Sequence, residues 1–262
     1  MPGNNNNEAG FRLDSQRALV TGASGNIGRG IALRLCEAGA DVVVHYYSDE
    51  EGARRTEAEI ADRGGRSVLV QADLSDESAA RQMVDSSNSD GGLITCVVNN
   101  AAAQPVVPLA DMSGEEWRSM LAANLDSAFY VSQSAANAMR DAGAKGSVVN
   151  VASIEGSDPA AGHGHYATSK AGLLMFTRAS ALEFGGDGIR FNAVSPGLID
   201  RVGLREAWPD GVARWLDESP LGRMGSATDV ANAVLFLLSP AAEWISGANL
   251  VVDGGMSAVS RW

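Results

Sequence analysis

The sequence predicts an α/β fold in which a doubly wound parallel sheet of about seven strands forms a single domain. Two observations lead to this prediction. Seven short runs rich in β-branched residues alternate with longer amphipathic segments along the chain. The runs are continuously apolar, which is typical of strands that are buried on both faces. Helices are therefore expected on both sides of the sheet.

The predicted strands and helices follow one another with few irregular stretches between them. We expect strands at residues 17–21, 41–46, 67–71, 94–99, 147–153, 189–194 and 249–252. We expect helices at residues 27–37, 50–63, 115–140, 167–183 and 227–238. The less regular segment 197–225 follows the carboxyl end of a strand, where it could cover a substrate or form a surface insertion.

Composition argues against several classes of partner and site. The 262 residues carry a formal net charge of −12, which disfavours nucleic acid and anionic membranes because both select clustered Lys and Arg. The polar residues 1–14 lack the layout of a signal peptide, so we expect a flexible tail on a cytoplasmic protein whose domain spans residues 15–262. Cys36 and Cys96 lie in apolar patterns and are expected to be reduced core residues. No metal site is expected, because the three histidines have no ligand spacing.

A glycine-rich turn joins the first predicted strand to the first predicted helix. It reads VTGASGNIG from Val20 to Gly28. Such a turn brings the backbone close to a pyrophosphate, whose charge is stabilised by the amino end of the following helix. Asn26 stands where a glycine is common, and Asn tolerates positive φ better than other non-glycine residues. This context predicts a dinucleotide site and a Rossmann-type fold.

Four side chains form a second set of candidates. Tyr166 and Lys170 are four residues apart at the start of a predicted helix, so they share one of its faces. Ser153 ends the strand predicted before them. Asn124 places an amide inside a long apolar helix, which is unfavourable without a partner. Taken singly, Ser153, Tyr166 and Lys170 would more often be structural, and only the combination argues for chemistry.

Residues 17–255 resemble the short-chain dehydrogenases/reductases. The turn has the spacing TGxxGxxG, more typical of the family's extended branch, whereas the ordinary branch has TGxxxGxG. The chain length and the later motifs resemble the ordinary, single-domain branch. The resemblance implies an NAD(P)-dependent oxidoreductase that transfers hydride between nicotinamide and a secondary alcohol or carbonyl. It also implies a homotetramer, since VVDGG at residues 251–255 resembles a strand and turn of the family's interface.

The resemblance also gives each of the four side chains a role. Tyr166 is implied to be the general acid/base, with Lys170 beside it and the positive nicotinamide both favouring the phenolate and lowering its pKa. Ser153 would hydrogen-bond the reacting oxygen and stabilise developing charge. Asn124 would hold a water that links Lys170 to solvent.

Further residues resemble the family's cofactor site. These are Gly22, Ser24, Gly25, Asn26, Ile27, Gly28, Tyr46, Tyr47, Ser48, Asp73, Leu74, Asn100, Ala101, Ala102, Pro196, Gly197 and Ile199, together with Tyr166 and Lys170. Gly25 stands where the ordinary branch often has a cation for the 2′-phosphate of NADP, and neither Tyr46 nor Tyr47 supplies one. The second strand also ends without the acid that selects NAD. The sequence therefore weakly favours NAD as the cofactor and does not exclude NADP.

Polar residues surround the predicted reacting centre. Glu155 and His163 lie between the predicted catalytic serine and tyrosine, and Arg201 and Trp208 lie in the irregular segment. Polar groups beside Trp suit a hydroxyl-rich ligand, and Arg suits an anionic one. The leading hypothesis is a sugar 1-dehydrogenase that oxidises an aldose, possibly an anionic one, to its lactone. The alternatives are a carbonyl or 3-oxoacyl reductase and, in another class, a dinucleotide sensor without catalysis.

Overall fold

A sheet of seven parallel strands forms the centre of the computed structural model, which describes residues 9–89 and 92–259. The strands are β1 (Arg17–Val20), β2 (Asp41–Tyr46), β3 (Ser67–Gln71), β4 (Cys96–Asn99), β5 (Gly146–Val151), β6 (Ile189–Pro196) and β7 (Asn249–Val252). Their spatial order is β3-β2-β1-β4-β5-β6-β7. The order reverses between β1 and β4, and such a reversal opens a crevice at the carboxyl ends of the strands where doubly wound folds bind ligands.

Helices cover both faces of the sheet in the described ranges. They are α1 (Asn26–Glu37), α2 (Glu50–Asp62), α3 (Glu77–Ser89), α4 (Gly114–Leu121), α5 (Ser127–Asp141), α6 (Gly164–Phe184), α7 (Leu204–Ala207), α8 (Pro209–Glu218) and α9 (Ala227–Leu238). A π turn (Ala122–Asp126) joins α4 to α5. The predicted helix 115–140 is therefore observed as two helices with a wider turn between them.

Two apolar layers separate the sheet from its helices. Val20 of β1 belongs to the layer that also contains Ile31 of α1. The preceding residue, Leu19, belongs to the opposite layer with Met83 of α3 and Val131 of α5. Successive residues of one strand thus face different layers, and the sheet is buried on both faces as the continuous apolar runs predicted.

One strand ends earlier than predicted, and one helix was not predicted. β5 ends at Val151, and Ser153 lies beyond it with an extended backbone that leads into a short 3₁₀ turn. Helix α3 was not predicted from the sequence, although its buried positions have helical spacing: Ala80, Met83, Val84 and Ser87. The apolar content of α3 is low, because two of these four residues are small.

The first residues that the structure describes are packed onto the domain. Residues 1–8 of the predicted tail lie outside the described ranges. Residues Ala9–Phe11 form a 3₁₀ turn, and the buried Leu13 donates its N–H to the carbonyl oxygen of Ala38 at 2.8 Å. Leu13, within the predicted tail of residues 1–14, is therefore held by apolar burial and a backbone hydrogen bond.

The irregular segment 197–225 contains α7 and α8 and lies after the carboxyl end of β6. Leu204, Val212 and Met224 form a small buried apolar cluster within it. The ring of Trp215 lies so close to Gly197 that a Cβ there would be 2.6 Å from it. The segment is therefore a folded insertion that is anchored to the end of β6.

Both cysteines are free and buried in the core, as predicted. In the described ranges, no helix combines the length and the apolar character that crossing a membrane requires.

Candidate active site

The glycine-rich turn between β1 and α1 has two residues with left-handed backbone. Gly22 has a φ of +64°, and a Cβ there would lie 2.9 Å from the Cα of Ala101. Asn26 has a φ of +47°, as predicted from its residue type. Gly25 has an extended backbone, and nothing lies within 4 Å of the position of a Cβ. The backbone therefore requires glycine at position 22 and not at position 25.

The amino end of α1 fits the pyrophosphate of a dinucleotide. A Cβ on Gly28 would overlap the carbonyl oxygen of Gly22, so α1 packs as closely against the turn as a helix backbone allows. The first turn of α1 contains no acidic residue, and the N-cap residue, Gly25, has no side chain that could cap the free N–H groups. Uncapped N–H groups and the helix dipole both favour an anion at this point.

Hydrogen bonds join the loop after β4 to the glycine-rich turn. The Thr21 hydroxyl accepts the backbone N–H groups of Asn100 and Ala101 at 2.9 and 3.0 Å. The Asn100 side chain donates to the carbonyl oxygens of Thr21 and Gly22 at 2.9 and 3.1 Å. The side-chain amide of Asn100 thus supports the turn, and its backbone and that of Ala101 remain beside the crevice.

His45 on β2 supports the same turn, and no sequence pattern singled it out. It is 1% exposed; its Nδ1 accepts the N–H of Gly22 at 3.1 Å, and its Nε2 lies 3.1 Å from the carbonyl oxygen of Ala72. Burial lowers the pKa of His45 to about 4, so the imidazole is neutral at neutral pH. The only signal that could have identified it is a histidine within an otherwise apolar buried strand.

The residues predicted for the adenosine half of the cofactor lie beyond the carboxyl ends of the first three strands or at those ends: Ser24, Tyr46, Tyr47, Ser48, Asp73 and Leu74. Tyr46 and Leu74 are buried, whereas Tyr47 is largely exposed. One oxygen of Asp73 accepts both the N–H and the hydroxyl of Ser75, at 2.9 and 2.6 Å. Asp73 therefore caps a local turn through one of its two carboxylate oxygens.

The residues predicted for the nicotinamide half lie after β4, at the last residue of β6 or just after it: Ala101, Ala102, Pro196, Gly197 and Ile199. Ile199 pairs with Gly225 in an isolated parallel bridge, and Asp200 donates its N–H to the carbonyl oxygen of Gly225 at 2.8 Å. The backbone after β6 is therefore fixed at both sides of Ile199.

Three of the four predicted catalytic side chains meet between the end of β5 and the start of α6. The Nζ of Lys170 lies 5.7 Å from the centre of the Tyr166 ring, and it donates to the carbonyl oxygen of Val151 at 2.8 Å. The Ser153 hydroxyl is hydrogen-bonded to the phenol of Tyr166. The hydroxyl of Ser153 also accepts the N–H of Glu155 at 3.1 Å, which fixes the loop that carries it.

Burial controls the protonation of Tyr166 and Lys170. It lowers the pKa of Lys170 to about 8. It raises the pKa of Tyr166 to about 12, although the hydrogen bond with Ser153 favours the phenolate and the charge of Glu155 opposes it. We expected Lys170 to lower the pKa of Tyr166, and in the chain alone burial raises it instead. The phenol is therefore protonated at neutral pH in the free protein.

Asn124 joins the loop after β4 to α6. It lies in the π turn and is 1% exposed. Its Oδ1 accepts the N–H of Ala103 at 2.7 Å, and its Nδ2 donates to the carbonyl oxygen of Ala103 at 2.9 Å and to the Ser169 hydroxyl at 3.2 Å. Both amide hydrogens are thus used within the chain. A water that links Lys170 to solvent would have to donate to Oδ1, which retains one lone pair.

Glu155 and His163 form a hydrogen-bonded pair beside Tyr166. The Nδ1 of His163 lies 2.8 Å from Oε2 of Glu155, and both side chains are about 15% exposed. Gln104 donates to the other carboxylate oxygen at 3.1 Å. The ring of His163 contacts the ring of Tyr166 edge-on, with 5.9 Å between their centres. The structure thus brings these two predicted substrate residues to the reacting centre.

Arg201 and Trp208 remain at the surface of segment 197–225. Both are exposed, and no hydrogen bond or ion pair joins either of them to the catalytic candidates in the described ranges. Asp200, which could have paired with Arg201, is paired with Arg205 at 3.3 Å. The free protein therefore places these two predicted substrate residues at the edge of the site, apart from the Glu155–His163 pair.

Comparison with known proteins identifies the class to which this fold and site correspond. The family model of enoyl-(acyl carrier protein) reductase matches residues 22–257. The chain is 36% identical to 3beta-hydroxysteroid dehydrogenase 1 of Eggerthella lenta over 94% of this chain and 95% of that protein. It is 34% identical to glucose 1-dehydrogenase 2 of Bacillus subtilis, over 94% and 96%. It is 36% identical to L-rhamnose 1-dehydrogenase (NAD(P)(+)) of Azotobacter vinelandii, over 93% and 97%.

Solved structures agree with these relatives. A gluconate 5-dehydrogenase from Burkholderia cenocepacia, in complex with NADP and tartrate, matches with a TM-score of 0.90 and 30% identity over 97% of this chain and 100% of that one. A short-chain type dehydrogenase/reductase from Mycobacterium marinum matches with a TM-score of 0.88 and 34% identity, over 95% and 98%. The chain belongs to the short-chain dehydrogenase/reductase family, and it is an NAD(P)-dependent oxidoreductase.

Proposed function

We propose that this enzyme is a sugar 1-dehydrogenase, which oxidises the anomeric carbon of an aldose to a lactone. The observation that supports this most directly is the Glu155–His163 pair, which adds hydrogen-bonding groups beside Tyr166. The relatives named glucose 1-dehydrogenase and L-rhamnose 1-dehydrogenase are consistent with it. Those named 3-oxoacyl-[acyl-carrier-protein] reductase and 3beta-hydroxysteroid dehydrogenase show that overall similarity does not select the substrate.

In this proposal, side chains of the enzyme remove the proton from the reacting hydroxyl. A bound nicotinamide supplies the hydride acceptor. Tyr166 first loses its phenolic proton to solvent, and the phenolate then takes the proton from the anomeric hydroxyl while Ser153 holds the reacting oxygen. The ammonium group of Lys170 stabilises the phenolate once it forms, because a buried negative charge is costly without a cation nearby. Asn124 fixes the loop after β4 against α6 and orients a water toward Lys170.

The orientation of His163 favours a substrate with a second hydroxyl group. Its Nδ1 lies 2.8 Å from a carboxylate oxygen that can only accept, so a ring hydrogen is on Nδ1, and in the tautomer with that single hydrogen Nε2 is an acceptor. An acceptor next to the reacting centre is best satisfied by an O–H donor on the carbon beside the one that is oxidised. Aldoses carry such a hydroxyl, whereas an apolar steroid or acyl chain would leave this acceptor without a partner.

Segment 197–225 is proposed to complete the substrate site. Arg201 and Trp208 are exposed and lie on the insertion that follows β6. An indole face suits the apolar side of a sugar ring, and a guanidinium group suits an anionic substituent. We propose that these two residues contact the part of the substrate that points away from Tyr166.

We also propose that NAD is the preferred cofactor, with NADP use open. Support comes from position 25, where the chain offers no cation for a 2′-phosphate and has open space around the glycine. The NADP complex of the gluconate 5-dehydrogenase shows that this fold also binds NADP in a relative.

We further propose a homotetramer in the cytoplasm. β7 is an edge strand of the described sheet, and its residues Leu250 and Val251 are partly exposed, which is consistent with an interface there. The two free cysteines are consistent with a reducing compartment. Sedimentation equilibrium should give about four times the chain mass of 27.2 kDa, and a monomer mass would contradict the assembly.

An absorbance screen tests the proposed activity. The purified enzyme is mixed with NAD⁺ or NADP⁺ and a panel of aldoses, and with NADH or NADPH and a panel of ketones and 3-oxoacyl thioesters. Oxidation of aldoses without reduction of thioesters supports the proposal. Reduction of thioesters or simple ketones alone would favour the reductase alternative. Dinucleotide binding without turnover on any compound would favour a sensor.

A further inference from the structure

We infer that His45 is a positioning residue for dinucleotide binding, because its imidazole joins the phosphate-binding turn after β1 to the adenine-side loop after β3. The inference depends on the dinucleotide site and is independent of which substrate is oxidised.

His45 contacts the turn through both its side chain and its backbone. Its Nδ1 accepts the N–H of Gly22 at 3.1 Å, and its carbonyl oxygen accepts the N–H of Ala23 at 2.8 Å. Gly22 is the position at which left-handed backbone and the approach of Ala101 both require glycine. The imidazole therefore holds the residue at which the turn has the least freedom.

The other side of the imidazole reaches the loop after β3. Nε2 lies 3.1 Å from the carbonyl oxygen of Ala72, which directly precedes Asp73 and Leu74. The N–H of Ala72 in turn donates to the carbonyl oxygen of Tyr46 at 3.3 Å. One side chain thus connects two loops that, in the proposed cofactor site, contact different halves of the adenosine diphosphate group.

The two hydrogen bonds require a neutral imidazole in one tautomer. Gly22 can only donate, so Nδ1 must be unprotonated, and Ala72 can only accept through its carbonyl, so Nε2 must carry the proton. Burial supports this state by lowering the pKa of His45 to about 4. Since His45 is fully buried, water cannot replace either bond when the side chain is removed.

The test compares the loss of one hydrogen bond of the imidazole with the loss of both. His45→Asn keeps an acceptor near the position of Nδ1, His45→Gln keeps a donor near the position of Nε2, and His45→Leu removes both. NADH and NADPH are titrated against each variant by the change in nucleotide fluorescence, and thermal unfolding is measured without nucleotide. We expect the Kd of the tighter-binding nucleotide to rise about 10- to 100-fold in His45→Leu and by smaller factors in the two polar variants.

Asn192 provides a matched control for a merely structural effect. It is equally buried, and its side chain also joins two backbone groups, the carbonyl oxygen of Ile245 at 2.9 Å and the N–H of Ala248 at 3.0 Å. Asn192→Leu should lower the unfolding temperature as much as His45→Leu and leave the Kd within about twofold of the wild type.

An unchanged Kd in the His45 variants would overturn the inference, as would an equal rise in Asn192→Leu. If His45→Leu does not fold, the Asn and Gln variants decide the question, because each retains one of the two bonds. None of these outcomes depends on finding a substrate, so failure of the sugar proposal would leave the result interpretable.

Discussion

Lys170 and Tyr166 are both buried without an opposite charge in contact with them. Burial disfavours the charged form of each, so the ammonium group and the phenolate are both costly in the free protein. Forming both charges together offsets part of that cost, because each then stabilises the other. At the scale of single residues, the pair is thus arranged to favour proton loss from Tyr166 only while Lys170 is protonated.

Replacing the phenol isolates its chemical role. Tyr166→Phe should lower turnover about 10²- to 10⁴-fold, the usual contribution of a general acid or base, with little change in the Kd for the dinucleotide. Tyr130→Phe, on α5 and away from the cluster, is the matched control and should keep full activity. Steady-state rates with the best substrate of the screen provide the measurement. Near-normal turnover in Tyr166→Phe would remove it from the mechanism.

Lys170 should give stability a defined pH dependence. Its folded pKa of about 8 lies below the usual lysine pKa of 10.5, so between these two pH values the unfolded chain binds more protons than the folded one. Stability from this group therefore rises with pH in that window. Relative to Lys170→Met, the wild type without nucleotide should gain about 2 kcal/mol between pH 7 and 9.5 in urea unfolding. A constant difference across this range would show that Lys170 does not titrate there.

At the scale of elements, the turn between β1 and α1 combines a required glycine with a replaceable one. Gly22 cannot accept a side chain, because Ala101 lies against it. Asn26 adopts the left-handed backbone, so the unusual glycine spacing leaves the turn intact. Gly25 has an ordinary extended backbone and open space. A side chain can therefore be added at position 25 without changing the turn.

Gly25→Arg should raise affinity for NADP. The new guanidinium would lie where the family often has a cation. A charge-assisted, solvent-exposed ion pair with the 2′-phosphate should lower the Kd for NADP about tenfold. Gly25→Ala, which adds only a methyl group, should bind NADP like the wild type. Titration with NADPH and NADH measures both effects. If the Arg variant gains no NADP affinity, position 25 does not control the choice of cofactor.

At the scale of the whole molecule, the sheet brings distant segments to one crevice. The reversal of strand order between β1 and β4 places the glycine-rich turn beside the loop after β4, while β5 and α6 supply the reacting centre. The strands and the nucleotide-binding turn were predictable, because continuous apolar runs and residue types such as Asn26 carry local signals. Helix α3 was not predicted, although its buried residues have helical spacing.

Other features could not be predicted because they depend on contacts between distant segments. His45 gains its role only when Gly22 and Ala72 pack on either side of β2. The fold also places Ala103 and Ser169 against the amide of Asn124, and both are distant from it in the sequence. The pKa of Tyr166 depends on how completely the site is buried, which residue spacing does not report.

The measurement that most directly tests the proposed function compares kcat/KM for an aldose and its 2-deoxy analogue in the wild type, His163→Gln and His163→Phe. The proposal predicts that the wild type prefers the aldose about 10- to 100-fold, since an unpaired acceptor costs that much. His163→Gln should retain part of this preference, and His163→Phe should show a ratio near one. Equal preference in the wild type and His163→Phe would contradict the account.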